Sequence, residues 1–202
     1  MKILELYKDL AEDNGRFIDE LINREEYREA LPKLTILDIG AYAGEFAFYS
    51  LVVADKIYCF EPDPKPFAKL EERVNKYDLD KIKIYNMAVS DSSGTKVFHA
   101  SGGGGSRILD SKAGYPEEEV IEVPTISLAE FIAKEDIKHI DILKIDIEGG
   151  EDTVFRSDDF KTIVDRIDLI IGEHLGSVAD LLQSYGFKKT PIDNNANTLY
   201  KR

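Results

Sequence analysis

Short apolar runs alternate with helical patterns along most of this chain, and that alternation constrains the fold more than any other feature. Five runs of five to eight residues are mostly apolar or aromatic, and they predict strands at 34–39, 56–60, 82–89, 140–145 and 167–171. Apolar residues at helical spacing lie between most of these runs. Strands joined to helices by short connections favour a parallel sheet wound in the right-handed sense. The pattern therefore predicts an α/β fold.

Local signals define the ends of several elements. Asp63, followed by proline, predicts an N-cap and the first position of a helix. Ser-x-x-acid patterns at 127–130 and 177–180 predict two capping boxes. Segments 187–190 and 198–201 predict two closing strands with a turn between them. Because such a hairpin adds an antiparallel strand to a parallel sheet, we expect a mixed sheet.

Two segments depart from the alternation. Apolar residues at helical spacing predict one or two helices in residues 1–33, which would form a cap on the core or a lid over a substrate pocket. Residues 90–125 contain short strand candidates around the glycine run 102–105, and we interpret them as an insertion near the edge or mouth of the sheet. The glycine run is either a surface loop or a mobile segment that closes over a substrate and presents Ser106 and Arg107 inward.

Composition and charge exclude several classes of protein. The chain has 202 residues, which is enough for one domain with a sizeable core. Its formal net charge of −13 opposes phosphate backbones and anionic lipid, so we expect neither a nucleic-acid partner nor a membrane partner. Cys59 is the only cysteine, which excludes an internal disulfide and fits a reducing compartment. The charged first residues and the lack of a long apolar run predict a cytoplasmic protein.

The first predicted strand runs directly into a glycine-rich turn, DIGAYAG at 38–44. Gly40 and Gly44 allow the backbone to approach a ligand at the start of the next helix. Glu61 ends the second strand, where a carboxylate in dinucleotide-type folds accepts hydrogen bonds from ribose hydroxyls. Together these residues indicate a nucleoside-containing cofactor. The alternative is a tight strand–helix turn with a solvated Glu61.

Asp38 and Tyr42 distinguish two cofactor classes that share this plan. Tyr42 stands where the nicotinamide fingerprint G-x-G-x-x-G has its second glycine, so its side chain would obstruct a pyrophosphate. Asp38 would repel a pyrophosphate but suits a ligand that carries an amine or another cation. Both departures favour S-adenosylmethionine over NAD, because S-adenosylmethionine contains a sulfonium and an ammonium and no phosphate.

A second acidic motif, KIDIEGGE, covers residues 144–151. Asp146 falls at the carboxyl end of the fourth predicted strand, the edge at which open α/β sheets bind ligands. Asp146 and Glu148 point to the same side if the strand continues that far. For Glu151 the alternative is a structural role, since acidic residues after a strand often cap the following helix.

Glu173 and His174 directly follow the strand predicted at 167–171. Adjacent strand ends can bring these two side chains close to Asp146. Two carboxylates and an imidazole are suited to a general base or to ligation of a divalent metal such as Mg²⁺. We therefore take Asp146, Glu173 and His174 as candidate catalytic residues, with a structural histidine as the alternative.

Five motifs in a fixed order carry a family resemblance: LDIGAYAGEF, FEPDP, NMAVSD, LKIDIEGGE and GEH. With them the chain resembles the FkbM-type family of S-adenosylmethionine-dependent methyltransferases. The resemblance implies the class I methyltransferase fold, a Rossmann-like, mixed seven-stranded sheet with helices on both faces, here with an N-terminal helical extension. It also implies methyl transfer, mostly to oxygen atoms of sugars, polyketides and related metabolites.

The resemblance further implies which residues contact the cofactor: Asp38, Gly40, Ala41 and Gly44 in the loop, Glu61 on the ribose, and Met87 and Ala88 against the adenine. Asp146 would lie near the methyl group. The family commonly has asparagine at the position of Tyr42. We therefore expect Tyr42 either to stack on the cofactor or to fill the pocket for its amino-acid part.

Three other functions fit parts of the pattern. Asp38 and Tyr42 oppose a nicotinamide-dependent oxidoreductase, and the joint presence of Asp38, Glu61 and Asp146 opposes an inactive binding protein. A nucleic-acid methyltransferase would need a basic stripe, and this chain is acidic. We thus expect an O-methyltransferase that acts on a small molecule. The sequence is compatible with a homo-oligomer as well as with a monomer.

Overall fold

The structure is a computed structural model that describes residues 33–110, 114–173, 175–190 and 198–202. The helical cap expected at 1–33 lies outside these residues except for Lys33, and His174 also lies outside them. No helix within the described ranges is long and apolar enough to cross a membrane.

The described elements follow one another through the chain as strands alternating with short helices. The strands are β1 (Leu34–Ile39), β2 (Ala54–Phe60), β3 (Ile82–Tyr85), β4 (Ala88–Ser90), β5 (Gly94–His99), β6 (Arg107–Ile108), β7 (Val120–Ser127), β8 (Ile140–Ile145), β9 (Ile167–Gly172), β10 (Lys188–Thr190) and β11 (Thr198–Lys201). The α-helices are α1 (Glu45–Ser50), α2 (Pro64–Tyr77), α3 (Leu128–Lys134), α4 (Glu151–Arg156), α5 (Asp158–Ile163) and α6 (Ala179–Ser184). Three short 3₁₀ helices lie at Glu117–Glu119, Val164–Arg166 and Leu175–Val178.

Seven strands form the large sheet, in the order β10-β11-β9-β8-β1-β2-β3. Strand β11 runs antiparallel to both of its neighbours, and the other pairs are parallel. The mixed seven-stranded sheet expected from the sequence is therefore confirmed. The chain winds outward from β1 through β2 to β3 and then returns to β8, so the strand order reverses between β1 and β8. Ligands of open α/β sheets bind at the carboxyl ends of the strands at such a point.

Alternate residues of the central strands face two apolar layers. On β1, Ile36 belongs to a buried cluster that includes Phe48 of α1 and Leu70 of α2. Its neighbour Leu37 belongs to a second cluster, which includes Phe131 of α3 and side chains of α4, α5 and α6. Successive side chains of a strand point to opposite faces, so helices cover both faces of the sheet, as expected.

The insertion forms a second sheet, in the order β4-β7-β5-β6. The single strand predicted at 82–89 is wrong, because the chain leaves the large sheet after Tyr85 and joins the small sheet at Ala88. Asn86 stabilises this break, since its side-chain amide donates to the backbone carbonyls of Glu61 at 2.8 Å and Pro62 at 3.2 Å. One short segment of chain therefore contributes to both sheets.

Two of the three predicted helix starts are confirmed. Asp63 accepts a hydrogen bond from the Lys65 N–H at the start of α2, and Ser127 accepts one from the Glu130 N–H at the start of α3. The cap predicted at Ser177 is wrong. Ser177 lies inside the 3₁₀ helix Leu175–Val178, which runs directly into α6, so it does not stand before a first helical turn.

Candidate active site

A cavity of about 920 Å³ lies at the carboxyl ends of the strands, where the strand order reverses. Both sheets contribute to its wall. The lining residues are 39–42, 45–46, 60–62, 87–91, 96, 98, 103–104, 106–108, 110, 144, 146–150 and 153. Seven of the residues selected from the sequence are among them: Gly40, Ala41, Tyr42, Glu61, Met87, Ala88 and Asp146.

The glycine loop lies tightly against the end of β8. Gly40 has a φ of +76°, and a Cβ at this position would overlap the backbone carbonyl of Asp146. The N–H groups of Gly40 and Ala41 both donate to the Phe60 carbonyl, at 3.0 and 2.9 Å. At the other end of the loop Gly44, with a φ of +94°, precedes α1 and leaves no room for a Cβ beside the ring of Phe48. The loop therefore requires glycine at both positions.

Glu61 is held rigidly at the end of β2. It is only 6% exposed, and its Oε2 accepts the Tyr42 N–H while its Oε1 accepts the Asp63 N–H, both at 2.8 Å. Burial raises the pKa of this carboxyl to about 7, although the two backbone hydrogen bonds act in the opposite direction. The Glu61 side chain thus connects the glycine loop to the start of α2, and its proton equilibrium lies near neutral pH.

Tyr42 adopts an unusual backbone conformation at the cavity. Its φ of +51° lies in the left-handed region, which a bulky residue rarely occupies. The hydrogen bond from its N–H to Glu61 helps to hold this conformation. The side chain is 37% exposed and lines the cavity. This strained, exposed aromatic residue marks a site where function is a better explanation than packing.

Asp38 lies behind the cavity wall and does not line it. Its side chain is fully buried, and its Oδ1 is 3.3 Å from the ammonium Nζ of Lys144. Neither carboxylate oxygen makes a hydrogen bond to the described residues. Burial raises the pKa of Asp38, and the charge of Lys144 opposes this effect. The expected amine ligand would therefore reach Asp38 only through an intervening group.

Asp146 is half-buried and lines the cavity directly after β8. The loop that follows is fixed by Glu151, whose carboxylate accepts the N–H groups of Ile147 and Gly149 at 2.9 Å each. Glu151 is buried and has a structural role, but it holds the loop before α4 rather than capping that helix as the alternative expected. Glu148 lines the cavity with a φ of +57°, so this loop also carries a left-handed residue other than glycine.

Of the three candidate catalytic residues, Asp146 lines the cavity. Glu173 follows β9 but is not among the residues that line the cavity, and His174 lies outside the described residues. Within the described ranges, the group of three side chains close enough to share a metal ion is His139, Asp141 and Asp168. These residues lie at the amino ends of β8 and β9, at the sheet edge opposite the cavity.

The glycine run is tied down by the residue that caps α2. Asp63 is fully buried, and its Oδ2 accepts the Gly102 N–H at 2.8 Å and the Ser106 hydroxyl at 2.7 Å. Ser106 and Arg107 both line the cavity. Closure of the glycine run over a substrate stays a prediction. The Arg107 guanidinium donates to the Tyr115 hydroxyl at 2.7 Å.

Several residues that line the cavity were not predicted from the sequence, among them Lys144, Lys96, Asp91 and Asp110. Lys144 could have been found, because it stands two residues before Asp146 in a strand and so shares its face. Lys96, Asp91 and Asp110 lie on or beside the small sheet, and no sequence motif predicts that sheet. In total six acidic and three basic side chains line the cavity.

The sequence profile described as Methyltransferase FkbM domain matches residues 38–189 of the 202. The chain belongs to this family. The match therefore covers the glycine loop, the acidic motif at 144–151 and the chain as far as Lys189 in β10.

Similar proteins agree with this membership. The chain is 30% identical over 139 residues to 2-O-methyltransferase NoeI of Sinorhizobium fredii, a match that covers 61% of this chain and 56% of that protein. It is 26% identical over 195 residues to 31-O-demethyl-FK506 methyltransferase FkbM of Streptomyces tacrolimicus, covering 79% of this chain and 74% of the relative. The chain thus spans little more than half the length of NoeI.

A solved structure supports the fold. Methyltransferase FkbM from Methylobacillus flagellatus KT superposes with a TM-score of 0.59 at 15% identity, covering 84% of this chain and 44% of that chain. Together with the strand order, this likeness confirms the class I methyltransferase fold expected from the sequence.

Proposed function

We propose that this chain is an S-adenosylmethionine-dependent methyltransferase that uses the 920 Å³ cavity as its cofactor and acceptor site. The observation that carries this proposal is the position of Glu61. Its buried carboxylate stands at the end of β2 beside the glycine loop, at the point where the strand order reverses. A cofactor with a ribose is bound at this point in related sheet topologies.

The residues present fit such a cofactor. A carboxylate offers about four lone-pair sites, and the two backbone donors occupy only two of them, so Glu61 can still accept from two ribose hydroxyls. Met87 and Ala88 supply an apolar surface for an adenine ring, and Gly40, Ala41 and Tyr42 line the part nearest the sheet switch. Gly44 supports the site indirectly because it permits the turn into α1.

The charge of the cavity favours a cationic cofactor over a dinucleotide. Acidic side chains exceed basic ones by six to three in the lining, which opposes a pyrophosphate and suits a sulfonium with an ammonium. Glu45 lines the cavity in the first turn of α1, at the place where a dinucleotide fold presents its helix terminus to phosphate. No observation favours the nicotinamide alternative.

S-adenosylmethionine supplies, when bound, a methyl group activated by the sulfonium. The task of the protein is then to align an acceptor hydroxyl and to receive its proton. We propose Asp146 as the proton acceptor, since its carboxylate lies in the cavity wall, with Glu173 and His174 as further candidates. A small hydroxylated acceptor is supported by the names of NoeI and FkbM, both O-methyltransferases.

Calorimetric titration with S-adenosylhomocysteine, with NADH as the parallel control, tests this proposal. We expect saturable one-to-one binding of S-adenosylhomocysteine and none of NADH. Binding of NADH alone would refute the proposal. Once cofactor binding is established, methyl transfer to hydroxylated metabolites is assayed with Mg²⁺ and with EDTA. Cofactor binding without transfer to any acceptor would favour a binding protein that has lost activity.

A further inference from the structure

We infer that Lys144 is a positioning residue that fixes the glycine loop and its neighbouring carboxylates for cofactor binding, an inference that rests on the proposed function. The Lys144 ammonium donates to the Gly40 carbonyl at 2.6 Å. It also lies 3.3 Å from Asp38 Oδ1 and 3.9 Å from Asp146 Oδ2. One cation therefore contacts the glycine loop and two acidic residues from different strands.

The sheet register explains why these groups converge. In the parallel pairing of β1 with β8, Asp38 stands directly beside Lys144, so the two side chains share a face. Asp146 follows two residues after Lys144 and points the same way. The Asp146 N–H also bonds the Ile39 carbonyl at 3.0 Å, which holds the ends of the two strands together. Lys144 thus adds side-chain contacts to the backbone hydrogen bond that joins the ends of β1 and β8.

Charge makes this lysine difficult to replace. The Lys144 side chain is 13% exposed. Burial raises the pKa of the fully buried Asp38, and the charge of Lys144 lowers it. The Lys144 charge also acts on Glu61, where it lowers the pKa of the carboxyl. Removing one partner of a buried charge pair leaves the other uncompensated, which is costly. Without Lys144, Asp38 would lie next to Asp146 with no cation between them.

Other titratable groups act on the same junction. Glu45 at the start of α1 raises the pKa of Asp38, as does Asp146, and the buried Cys59 thiol on β2 interacts with both Asp38 and Lys144. Glu45 and Asp146 both add negative charge near Asp38, and Lys144 supplies the positive charge that opposes it. Its loss would shift the ionisation of Glu61 to higher pH.

The test compares Lys144→Met and Lys144→Arg with Lys83→Met, a control in the same sheet whose ammonium pairs with Glu135 on the surface. Affinity for S-adenosylhomocysteine is measured by calorimetry from pH 6 to 9, and folding by circular dichroism. We expect Lys144→Met to weaken binding about 10- to 100-fold and to move the pH midpoint of binding upward. We expect Lys144→Arg to restore most of the affinity and Lys83→Met to behave as wild type.

Separate outcomes contradict the two claims. Wild-type protein that does not bind S-adenosylhomocysteine would overturn both this inference and the proposed function. A folded Lys144→Met protein with wild-type affinity and an unchanged pH midpoint would overturn only the role of Lys144. If Lys144→Met does not fold, the double variant Asp38→Asn with Lys144→Met removes the buried pair together, and the same criteria apply to it.

Discussion

Glu61 is a buried carboxylate whose orientation is fixed by the backbone. It is nearly inaccessible, and its two oxygens accept hydrogen bonds from backbone donors in separate segments of the chain. Because the donors are backbone groups, the side chain is oriented before any ligand arrives. This pre-organisation lowers the ordering cost of binding a ribose.

The raised pKa of Glu61 predicts a pH dependence of cofactor binding. The carboxyl has a folded pKa of about 7, above its ordinary 4.5, so in the free protein ionisation of Glu61 opposes folding as the pH rises through this window. Ribose hydroxyls instead require the ionised form as acceptor. We therefore expect affinity for S-adenosylhomocysteine to rise from pH 6 to pH 8, by at most about tenfold per pH unit.

The substitution Glu61→Gln checks this assignment, because glutamine does not titrate. Calorimetry should show weaker binding, by about 1–3 kcal/mol, and a flat profile between pH 6 and pH 8. The matched control is Glu122→Gln, which changes an exposed carboxylate on β7 outside the cavity lining. A pH profile that survives in Glu61→Gln would assign the titration to another group.

The sequence predicted several residues that line the cavity. It did not predict the contacts that these residues make with one another. The glycine loop and Glu61 follow from local motifs, and both lie in the wall of one cavity. The contact between Asp38 and Lys144 follows instead from the pairing of β1 with β8, strands more than 100 residues apart in the sequence. No local pattern specifies that long-range register.

Among the elements, α2 and the glycine run share one anchor. The Asp63 carboxylate caps α2 through the Lys65 N–H and holds the glycine run through Gly102 and Ser106. The sequence predicted the cap and missed the second role. An N-cap depends on residues next to it, whereas the other two donors come from about forty residues further along the chain.

Replacing Asp63 should therefore cost more than a helix cap alone. We expect Asp63→Ala to lower the free energy of unfolding by about 2–4 kcal/mol, from the lost cap and two lost hydrogen bonds. The matched control, Ser157→Ala, removes the cap of α5 and should cost about 1 kcal/mol. Urea unfolding measures both values.

Limited proteolysis separates the two roles of Asp63. Cleavage within residues 101–106 should accelerate in Asp63→Ala and stay at the wild-type rate in Ser157→Ala, because only the former frees the loop. Equal stability losses and equal cleavage rates in the two variants would reduce Asp63 to a simple cap.

The segment 82–89 shows that a sequence pattern can predict strands without predicting the break between them. Apolar residues lie on both sides of Asn86, and both halves are indeed strands. The break between them depends on the Asn86 side chain reaching the carbonyls of Glu61 and Pro62, which is a tertiary contact. Apolar periodicity specifies that a segment is a strand, but it does not specify which sheet the strand joins.

For the whole molecule, charge gives the clearest expectation. The net charge of −13 opposes nucleic acid at long range, and the three basic side chains of the cavity are outnumbered by acidic ones. We expect no saturable binding of labelled single-stranded or duplex RNA at protein concentrations up to about 100 µM in fluorescence anisotropy at moderate salt. The same preparation should bind S-adenosylhomocysteine. Salt-sensitive RNA binding in the micromolar range would contradict the small-molecule assignment.

The crossing of the chain from one sheet to the other at Asn86 has a consequence for how such a site can diversify. Most of the residues proposed to bind the cofactor lie on or next to the large sheet, while Ala88 begins β4 of the small sheet. Much of the opposite wall belongs to the small sheet and its loops. Each sheet has its own ladder of hydrogen bonds, and the two sheets are also linked by the crossing at Asn86 and by the contacts of Asp63 with the glycine run. Substitutions away from these links need not disturb the other sheet. Under the proposed function, acceptor preference can therefore change through the wall that the small sheet and its loops form, while the proposed cofactor contacts of the large sheet are retained.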